Sequence, residues 1–213
     1  MIGWMKMTDE ILTYIERIVP EPKCELNYNK DYELLIAVML SAQTTDKRVN
    51  IVTEELFGKY DNLEKLSSAS LQDVEKIVKS LGSYTKKSKA VIEIAQKIKE
   101  WGKVPNDREL LEKLPMVGRK TTSVVLSELF REPNIAVDTH VERVSKRLGL
   151  VRKHADVLEV ERSLKRKVPK NLWCDTHLRL VYFGRYYCTA KKPLCDNCGL
   201  KSVCKYNKEK IRS

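Results

Sequence analysis

The stretch that decides the fold lies between residues 112 and 140. Residues 112–122 read Glu-Lys-Leu-Pro-Met-Val-Gly-Arg-Lys-Thr-Thr, and after an apolar helical run residues 135–140 read Ile-Ala-Val-Asp-Thr-His. Pro115 ends one helix, because proline cannot continue it, and Gly118 permits a tight reversal into the next. The Arg-Lys pair that follows stands at the start of that second helix, where the first backbone amides have no partner within the helix. The pattern predicts a helix, a hairpin turn and a second helix, which together can hold a phosphate. An ordinary helical hairpin with a solvated Arg-Lys pair is the alternative.

Positive charge is concentrated in the last third of the chain. The net charge is +11, and residues 138–213 hold 19 of the 40 Lys and Arg residues but only 8 of the 29 Asp and Glu residues. Localised positive charge favours a polyanionic partner, and nucleic acid is preferred to an acidic membrane because no amphipathic anchor accompanies it. The longest apolar run, residues 34–40, is too short to cross a bilayer. We therefore expect a soluble cytoplasmic protein, associated with the nucleoid if prokaryotic, with no membrane partner.

Helical signals recur along the whole chain, and strand alternation is nearly absent. Apolar residues repeat at helical spacing between capping residues and glycines, which predicts an all-α protein with short loops. The helix from Tyr32 to about Ala42 is apolar on all sides and should be central. The predicted helix starts are at Thr8, Asp31, Asp46, Ser70 with Asp73, Asp107, Asp138 and Asp156 with Glu159, and the predicted glycine ends are at Gly58, Gly82, Gly102 and Gly149.

Four of the six cysteines form a cluster near the carboxyl terminus. Cys188, Cys195, Cys198 and Cys204 have the spacing C-x6-C-x2-C-x5-C. Clustered thiols in a long chain without a secretion signal favour a metal over disulfides. Zinc modules usually present two Cys-x-x-Cys pairs and this pattern has one, so the spacing favours an iron-sulfur cluster over zinc, with unliganded cysteines as a third possibility.

A short basic loop lies between the first two cysteines of the cluster. Lys191 and Lys192 occupy it, and ligation of the flanking thiols would hold it at both ends. A loop held in this way can contact phosphates at low entropic cost. The alternative is a solvated charge pair.

Four segments together resemble one known family. Leu114-Pro-Met-Val-Gly-Arg-Lys120, Val137-Asp-Thr-His140, Leu34-Leu-Ile-Ala-Val-Met-Leu-Ser-Ala-Gln43 and the four-cysteine tail look like the endonuclease III family of helix-hairpin-helix DNA glycosylases. The resemblance runs nearly end to end. It implies a six-helix domain over residues 23–133 that contains the hairpin, and a discontinuous four-helix iron-sulfur domain over residues 1–22 and 134–213. A DNA-binding cleft would lie between them, and the cofactor would be a 4Fe-4S cluster.

The resemblance also implies an activity. A family member excises oxidised pyrimidines from duplex DNA and then nicks the strand at the abasic site. By motif match Lys120 is the nucleophile and Asp138 the essential carboxylate. An amine can attack the sugar C1′, expel the base and leave an imine that promotes elimination, while a carboxylate stabilises positive charge on the sugar. The alternative assigns Lys120 to a phosphate contact and Asp138 to a helix cap.

The remaining site residues follow from the same match. Gln43 corresponds to the residue that enters the gap left by an everted base, and its alternative is a buried polar group that ends a helix. Asp46 and Glu112 are expected to support the pocket. The expected DNA contacts are Gln43, Val117, Gly118, Arg119, Arg143, Lys191 and Lys192.

Two positions depart from the family pattern. Met116 replaces the first glycine of the hairpin and would strain the turn if that position needs a positive φ. Ser83 stands where relatives often carry a bulky apolar wedge aimed at the opposite strand. Either discrimination of the orphan base is looser here, or another residue such as Tyr84 serves as the wedge.

Three functions are compatible with such a chain. The first is a bifunctional glycosylase and abasic-site lyase acting on double-stranded DNA, expected to be a monomer. The second is a monofunctional mismatch or adenine glycosylase, although those relatives generally lack a lysine at position 120. The third is a noncatalytic DNA-binding module. Lys120 together with Asp138 favours the first.

Overall fold

The structure, a computed structural model, describes the backbone of residues 2–212 and the side chains of residues 7–210. All regular secondary structure in that part of the chain is helical, which confirms the predicted all-α class. A 3₁₀ turn lies at Lys170–Leu172, and a π-helical segment lies at Phe183–Tyr187. The α-helices are α1 (Ile2–Ile18), α2 (Asp31–Leu40), α3 (Asp46–Lys59), α4 (Leu63–Ser67), α5 (Leu71–Val78), α6 (Tyr84–Trp101), α7 (Arg108–Glu112), α8 (Arg119–Phe130), α9 (Thr139–Leu148), α10 (Val157–Lys167), α11 (Trp173–Tyr182) and α12 (Lys205–Arg212).

The chain divides into two compact units, each with its own apolar core. The first unit is Cys24–Arg131, and the second combines the chain up to Lys23 with the chain from Glu132 onward. In the first unit α2 is central, because every residue from Tyr32 to Leu40 is buried. It contacts α3, α6 and α8. A helix that is apolar on all sides has no face to offer to water, so it becomes the axis about which its neighbours pack.

The second unit is built around α1, α9 and α11. Ile11 and Ile15 of α1 pack in one cluster with Val144 of α9 and Leu180 of α11. Gly184 in the π-helical segment allows close approach to α9, since a Cβ at this position would lie 2.8 Å from the Cβ of His140. No helix in the described part of the chain is long and apolar enough to span a bilayer.

Helix ends that depend on local hydrogen bonds lie where the sequence predicts them. The carboxylates of Asp107, Asp138 and Asp156 each accept a bond from an amide in the first turn of the following helix. Gly102 and Gly149 end α6 and α9 with φ of 77° and 79°. These predictions are confirmed, because an N-cap carboxylate and a left-handed glycine act within their own turn.

Other predicted ends are wrong. Thr8 lies inside α1, and Gly58 lies inside α3. The N-cap of α3 is Thr45, whose side chain accepts from Arg48 N, and Asp46 is the first helical residue. Thr45 can cap the helix one residue earlier, because the hydroxyl oxygen of threonine, like a carboxylate oxygen of aspartate, accepts a hydrogen bond from an amide of the first turn.

The end of α5 and its predicted capping box also differ. Ser70 is the N-cap of α5 but makes no side-chain cap bond, while Asp73 pairs with Lys59 at 3.2 Å. The left-handed residue after α5 is Ser83, with φ of 58°, and Gly82 does not have a positive φ. At Asp73, an ion pair with a residue distant in sequence outweighs the local preference for a capping box. At Gly82, the path of the chain into α6 outweighs the local preference for a left-handed glycine.

Candidate functional site

The hairpin between α7 and α8 is a tight turn with an apolar underside. The Leu114 amide donates to Leu111 O at 3.1 Å, and the Val117 amide donates to Leu114 O at 3.2 Å. The side chains of Leu114 and Val117 are both 4% exposed. Val117 therefore supports the turn from below in the free protein, and its predicted DNA contact stays a prediction.

The left-handed residue of the hairpin is Met116. Its φ is 60°, and its side chain is 41% exposed. Gly118 instead has an extended backbone with φ of −102° and ψ of −177°. A Cβ at Gly118 would meet nothing within 4 Å. The prediction that Gly118 supplies the reversal is therefore wrong, since neither its dihedral angles nor internal packing require glycine there.

Arg119 and Lys120 are the first two residues of α8, and both side chains are exposed. The first intrahelical bond runs from Thr122 N to Gly118 O at 3.0 Å. Helix geometry directs the amides before it outward from the helix start, where the dipole is positive. The hairpin therefore presents an amine, a guanidinium and backbone donors together.

Glu112 lies at the end of α7 and forms an ion pair with Arg108. Their side chains are 3.1 Å apart, and Arg108 Nη2 also donates to Ser123 Oγ of α8 at 3.3 Å. This contact braces α7 against α8 and holds the hairpin closed. The pairing supplies a structural role for Glu112, and its pocket role stays a prediction.

Gln43 is exposed and lies in the turn between α2 and α3. Its φ of 58° is unusual for a residue with a Cβ. Asp46 follows at the start of α3 and is half-buried. The predicted alternative for Gln43, a buried polar group that ends a helix, is wrong because the side chain is exposed. Ser83 is exposed as well, and Tyr84 after it is 38% exposed.

Asp138 is the N-cap of α9. Its Oδ1 accepts from the amides of His140 at 2.9 Å and Val141 at 2.8 Å. The half-buried His140 has its Nδ1 3.2 Å from Arg143 Nη2, and burial lowers the pKa of His140. A neutral His140 can accept that bond, which links it to Arg143 within α9.

Arg143 and Arg147 connect α9 to the cysteine segment. Arg143 donates to Gly184 O at 2.7 Å and to Cys188 O at 3.2 Å. Arg147, one turn later, donates to Thr189 O at 2.7 Å and Ala190 O at 2.9 Å. These bonds hold the loop that carries the exposed Lys191 and Lys192 from below. The sequence prediction missed Arg147, although its i+4 spacing from Arg143 places both on one helix face.

The four clustered cysteines line one cavity of about 370 Å³. Aromatic side chains of Tyr14, Phe183, Tyr187 and Tyr206 line it too. None of the protein's cysteines forms a disulfide. Among the described side chains, no three Cys, His, Asp or Glu groups converge as they would on a single metal ion. The thiols share the lining of this cavity with mostly apolar and aromatic side chains and with the polar side chains of Asn197, Lys201 and Asn207.

One contact of the thiols suits a metal cofactor. Arg147 Nη1 lies 3.5 Å from Cys188 Sγ and can donate to that sulfur. Burial raises the pKa of Cys198 and of Cys204, so a bound metal has to compensate the charge of their thiolates. The donor set and its surroundings fit an iron-sulfur cluster.

Sequence reasoning also missed Lys87 on α6. It is 1% exposed. A signal was available, because Lys87 is in register with Val91, Ile94 and Ile98 along the buried face of α6.

Comparisons with known proteins agree on one family. The model of the HhH-GPD superfamily of base excision DNA repair proteins matches residues 36–170. Endonuclease III of Bacillus subtilis (strain 168) is 48% identical over 203 residues, which cover 94% of this chain and 93% of that protein.

Two solved structures are also similar to this chain. A non-covalent endonuclease III–DNA complex superposes with a TM-score of 0.92 at 44% identity, covering 98% of this chain and 99% of that chain. A trapped endonuclease III–DNA covalent intermediate, an estranged-adenine complex, gives a TM-score of 0.90 at 44% identity and covers 96% and 99% of the two chains.

Proposed function

Since the chain belongs to the endonuclease III family within the HhH-GPD superfamily of base excision DNA repair proteins, we propose that it is a bifunctional DNA glycosylase and abasic-site lyase. Its substrate is double-stranded DNA that contains oxidised pyrimidines or abasic sites. The reaction removes the damaged base and then cleaves the strand by β-elimination. Acting on chromosomal DNA places the enzyme in the cytoplasm, with the nucleoid, if the source is prokaryotic.

The single observation that carries the proposal is the position of Lys120. Its exposed amine follows Gly118 at the start of α8, on a turn whose backbone donors face outward. Neither the φ of Gly118 nor its packing within the protein requires a glycine. A glycine does, however, allow a phosphate oxygen to approach the backbone closely, because it has no side chain. We expect the hairpin to bind a phosphate while Lys120 reaches the sugar attached to it.

The chemistry assigned to Lys120 begins at the sugar of the damaged nucleotide. The uncharged amine attacks C1′, and the base leaves with the electron pair of its bond to C1′ and takes up a proton. The bond between C1′ and the ring oxygen then breaks, the ring oxygen keeps that electron pair and is protonated, and loss of the amine protons leaves an imine between C1′ and the lysine nitrogen. The imine acidifies the C2′ proton, and loss of that proton expels the 3′ phosphate. Water then hydrolyses the imine and returns the free amine.

Asp138 is assigned to the same sugar. Its carboxylate stabilises positive charge that develops at C1′ as the base departs, and it can relay protons in later steps. The amide bonds at Oδ1 fix its orientation before substrate binds. A carboxylate held in advance costs no reorganisation during the reaction.

Cys188, Cys195, Cys198 and Cys204 are assigned as the ligands of a 4Fe-4S cluster. A bound cluster would cross-link the carboxyl-terminal tail through these four thiolates. The cavity of about 370 Å³ that the four thiols line supports this assignment. Protein purified without oxygen should contain about four irons per chain. Stoichiometric zinc without iron would overturn the assignment.

Borohydride trapping on abasic-site DNA tests the assignment of Lys120. Reduction should fix the wild-type protein covalently to DNA, because it captures the imine before elimination releases the enzyme. Lys120→Gln should lose trapping but keep DNA binding. Lys113→Gln, a neighbouring exposed lysine on the other side of the turn, is the matched control and should trap normally. Robust trapping by Lys120→Gln would assign the chemistry to another amine. A wild-type protein that excises bases without being trapped would support the monofunctional alternative.

A further inference from the structure

Lys87 places a buried amine beneath the turn that carries Gln43. Its Nζ donates to Leu40 O and to Ala42 O, both at 2.8 Å, and to Thr44 Oγ1 at 3.4 Å. All three acceptors are neutral oxygens. They flank Gln43 on both sides in sequence, so one side chain holds the backbone before and after it.

A lysine at this position is costly to the core. The same face of α6 carries Val91, Ile94 and Ile98, and an apolar residue would fill the site without burying a charge. Burial lowers the pKa of Lys87, with desolvation as its cause. The compensating contacts are carbonyls at the end of α2, where the helix dipole is negative and carbonyls lack partners within the helix. The amine therefore supplies hydrogen bonds to the carbonyl groups at the end of α2 and in the turn after it.

The turn needs such support because Gln43 is in the left-handed region. A residue with a Cβ costs roughly 1–2 kcal/mol there. Gln43 is exposed, so its own side chain does not anchor it. Within the turn, the Thr44 amide donates to Ser41 O at 3.0 Å. A strained conformation persists only where the surrounding structure holds it.

Lys87 also belongs to a second exposed turn. Its backbone amide donates to Ser83 O at 3.1 Å, and Ser83 is left-handed with φ of 58°. Through Lys87, the start of α6 therefore contacts both the turn that contains Gln43 and the turn that contains Ser83, and both of these residues are exposed and left-handed. Ser83 is the position at which relatives often carry a wedge residue, and Gln43 is the position assigned to the everted-base gap.

We propose that Lys87 is a positioning residue for lesion recognition, which holds Gln43 in the conformation that enters duplex DNA and ties its turn to the Ser83 turn. The inference rests on the proposed function of Gln43. A side chain ordered before binding loses less conformational entropy when it enters the duplex. Lys87 itself does not contact the reacting atoms.

The test is Lys87→Met, measured in two assays on the same preparation. The first is single-turnover excision of dihydrothymine, a saturated pyrimidine, from duplex DNA, which requires eversion and filling of the gap. The second is β-elimination at an abasic site in single-stranded DNA, which has no opposite strand and no gap to fill. The ratio of the two rates does not depend on the fraction of folded protein, so partial misfolding does not obscure the result.

We expect Lys87→Met to lower the ratio of excision to elimination by about 10- to 100-fold, as for other small displacements of a positioned group. Lys89→Met is the matched control, since it removes the same charge from an exposed position of the same helix, and its ratio should equal that of the wild type. In a Gln43→Ala background the Lys87 substitution should have little further effect, because the two changes act through one step.

The two assays distinguish a failure of the positioning role from a failure of the proposed function. An unchanged ratio in Lys87→Met, or effects of Lys87→Met and Gln43→Ala that add fully, would overturn the positioning role. Failure of the wild-type protein in both assays would instead overturn the proposed function.

Discussion

Asp138 Oδ1 accepts a 2.8 Å hydrogen bond from the backbone amide of Val141, the third residue of α9. The amide of His140 donates to the same oxygen at 2.9 Å. The helix cap therefore uses Oδ1, and Oδ2 is not needed for either bond. The capping role, which was an alternative to the proposed catalytic role, does not exclude it, because the cap bonds use only one of the two carboxylate oxygens.

Asp138→Asn should separate these two roles. Asparagine is as good an N-cap as aspartate, so the free energy of unfolding should change by less than about 0.5 kcal/mol. Excision should slow by roughly 100-fold or more, because an amide does not stabilise positive charge on the sugar. Binding to duplex DNA with an uncleavable abasic analogue should be equal or tighter, since the substitution removes a negative charge near the polyanion.

The control for the cap alone is Asp156→Asn, because Asp156 caps α10 in the same way through a 2.7 Å bond from Glu159 N. It should keep wild-type excision. Excision by Asp138→Asn at the wild-type rate would show that the residue is only a cap.

Met116→Gly should stabilise the hairpin. Met116 has φ of 60° and is exposed, so glycine removes the left-handed penalty of roughly 1–2 kcal/mol and sacrifices little packing. Glycine also gives the unfolded chain more freedom, which offsets roughly 0.5–1 kcal/mol. We expect a net gain of up to about 1 kcal/mol in urea unfolding. Met116→Ala keeps the Cβ and should gain nothing, so equal stability of the two variants would contradict strain at this position.

Replacing Lys191 and Lys192 by alanine should reduce the salt dependence of DNA binding. Both side chains are exposed on a loop that Arg147 holds in place. For each lysine that binds a phosphate, its removal should lower the slope of log affinity against log salt by roughly 0.9. The control Lys76→Ala with Lys97→Ala removes the same charge from exposed positions of α5 and α6. Equal slopes for the two double variants would assign Lys191 and Lys192 to solvent.

The Tyr28 hydroxyl should make stability fall at high pH. It donates to Glu128 Oε1 at 3.0 Å, and burial, with the charge of Glu128 second, raises the pKa of Tyr28 to about 12 from its ordinary 10.0. Between those values the unfolded chain loses the proton first. The contribution of Tyr28 is therefore complete below pH 10 and is lost as pH rises towards 12.

Tyr28→Phe tests this directly by urea unfolding at several pH values. The variant should be less stable than wild type by about 1 kcal/mol at pH 8. The difference should shrink between pH 10 and 12. A constant difference for Tyr28→Phe across the range would contradict the raised pKa.

The sequence by itself determined the features that depend on neighbours in the chain. Apolar spacing predicted the helices, and Asp107, Asp138 and Asp156 were identified as caps because an N-cap carboxylate bonds within its own first turn. Gly102 and Gly149 were predicted as helix ends for the same local reason. The motif match also assigned candidate roles to residues whose order and spacing in the chain agree with the family.

Only the tertiary structure decided which backbone positions are strained and which partners a buried charge meets. Met116, and not Gly118, is the left-handed residue of the hairpin, and Ser83, and not Gly82, is left-handed before α6. Local preference favours glycine at left-handed positions. In each of these turns, however, packing against residues outside the turn determines which residue takes the positive φ.

Lys87 shows that the sequence alone also does not specify the partners of a buried side chain. In sequence it resembles Lys86 and Lys89, which are exposed on the same helix. Its helical register predicts that it faces the core, but its partners, Leu40 O and Ala42 O, lie 47 and 45 residues away in the chain. An isolated helix does not specify those acceptors, because they converge on the amine only when α2 packs against α6.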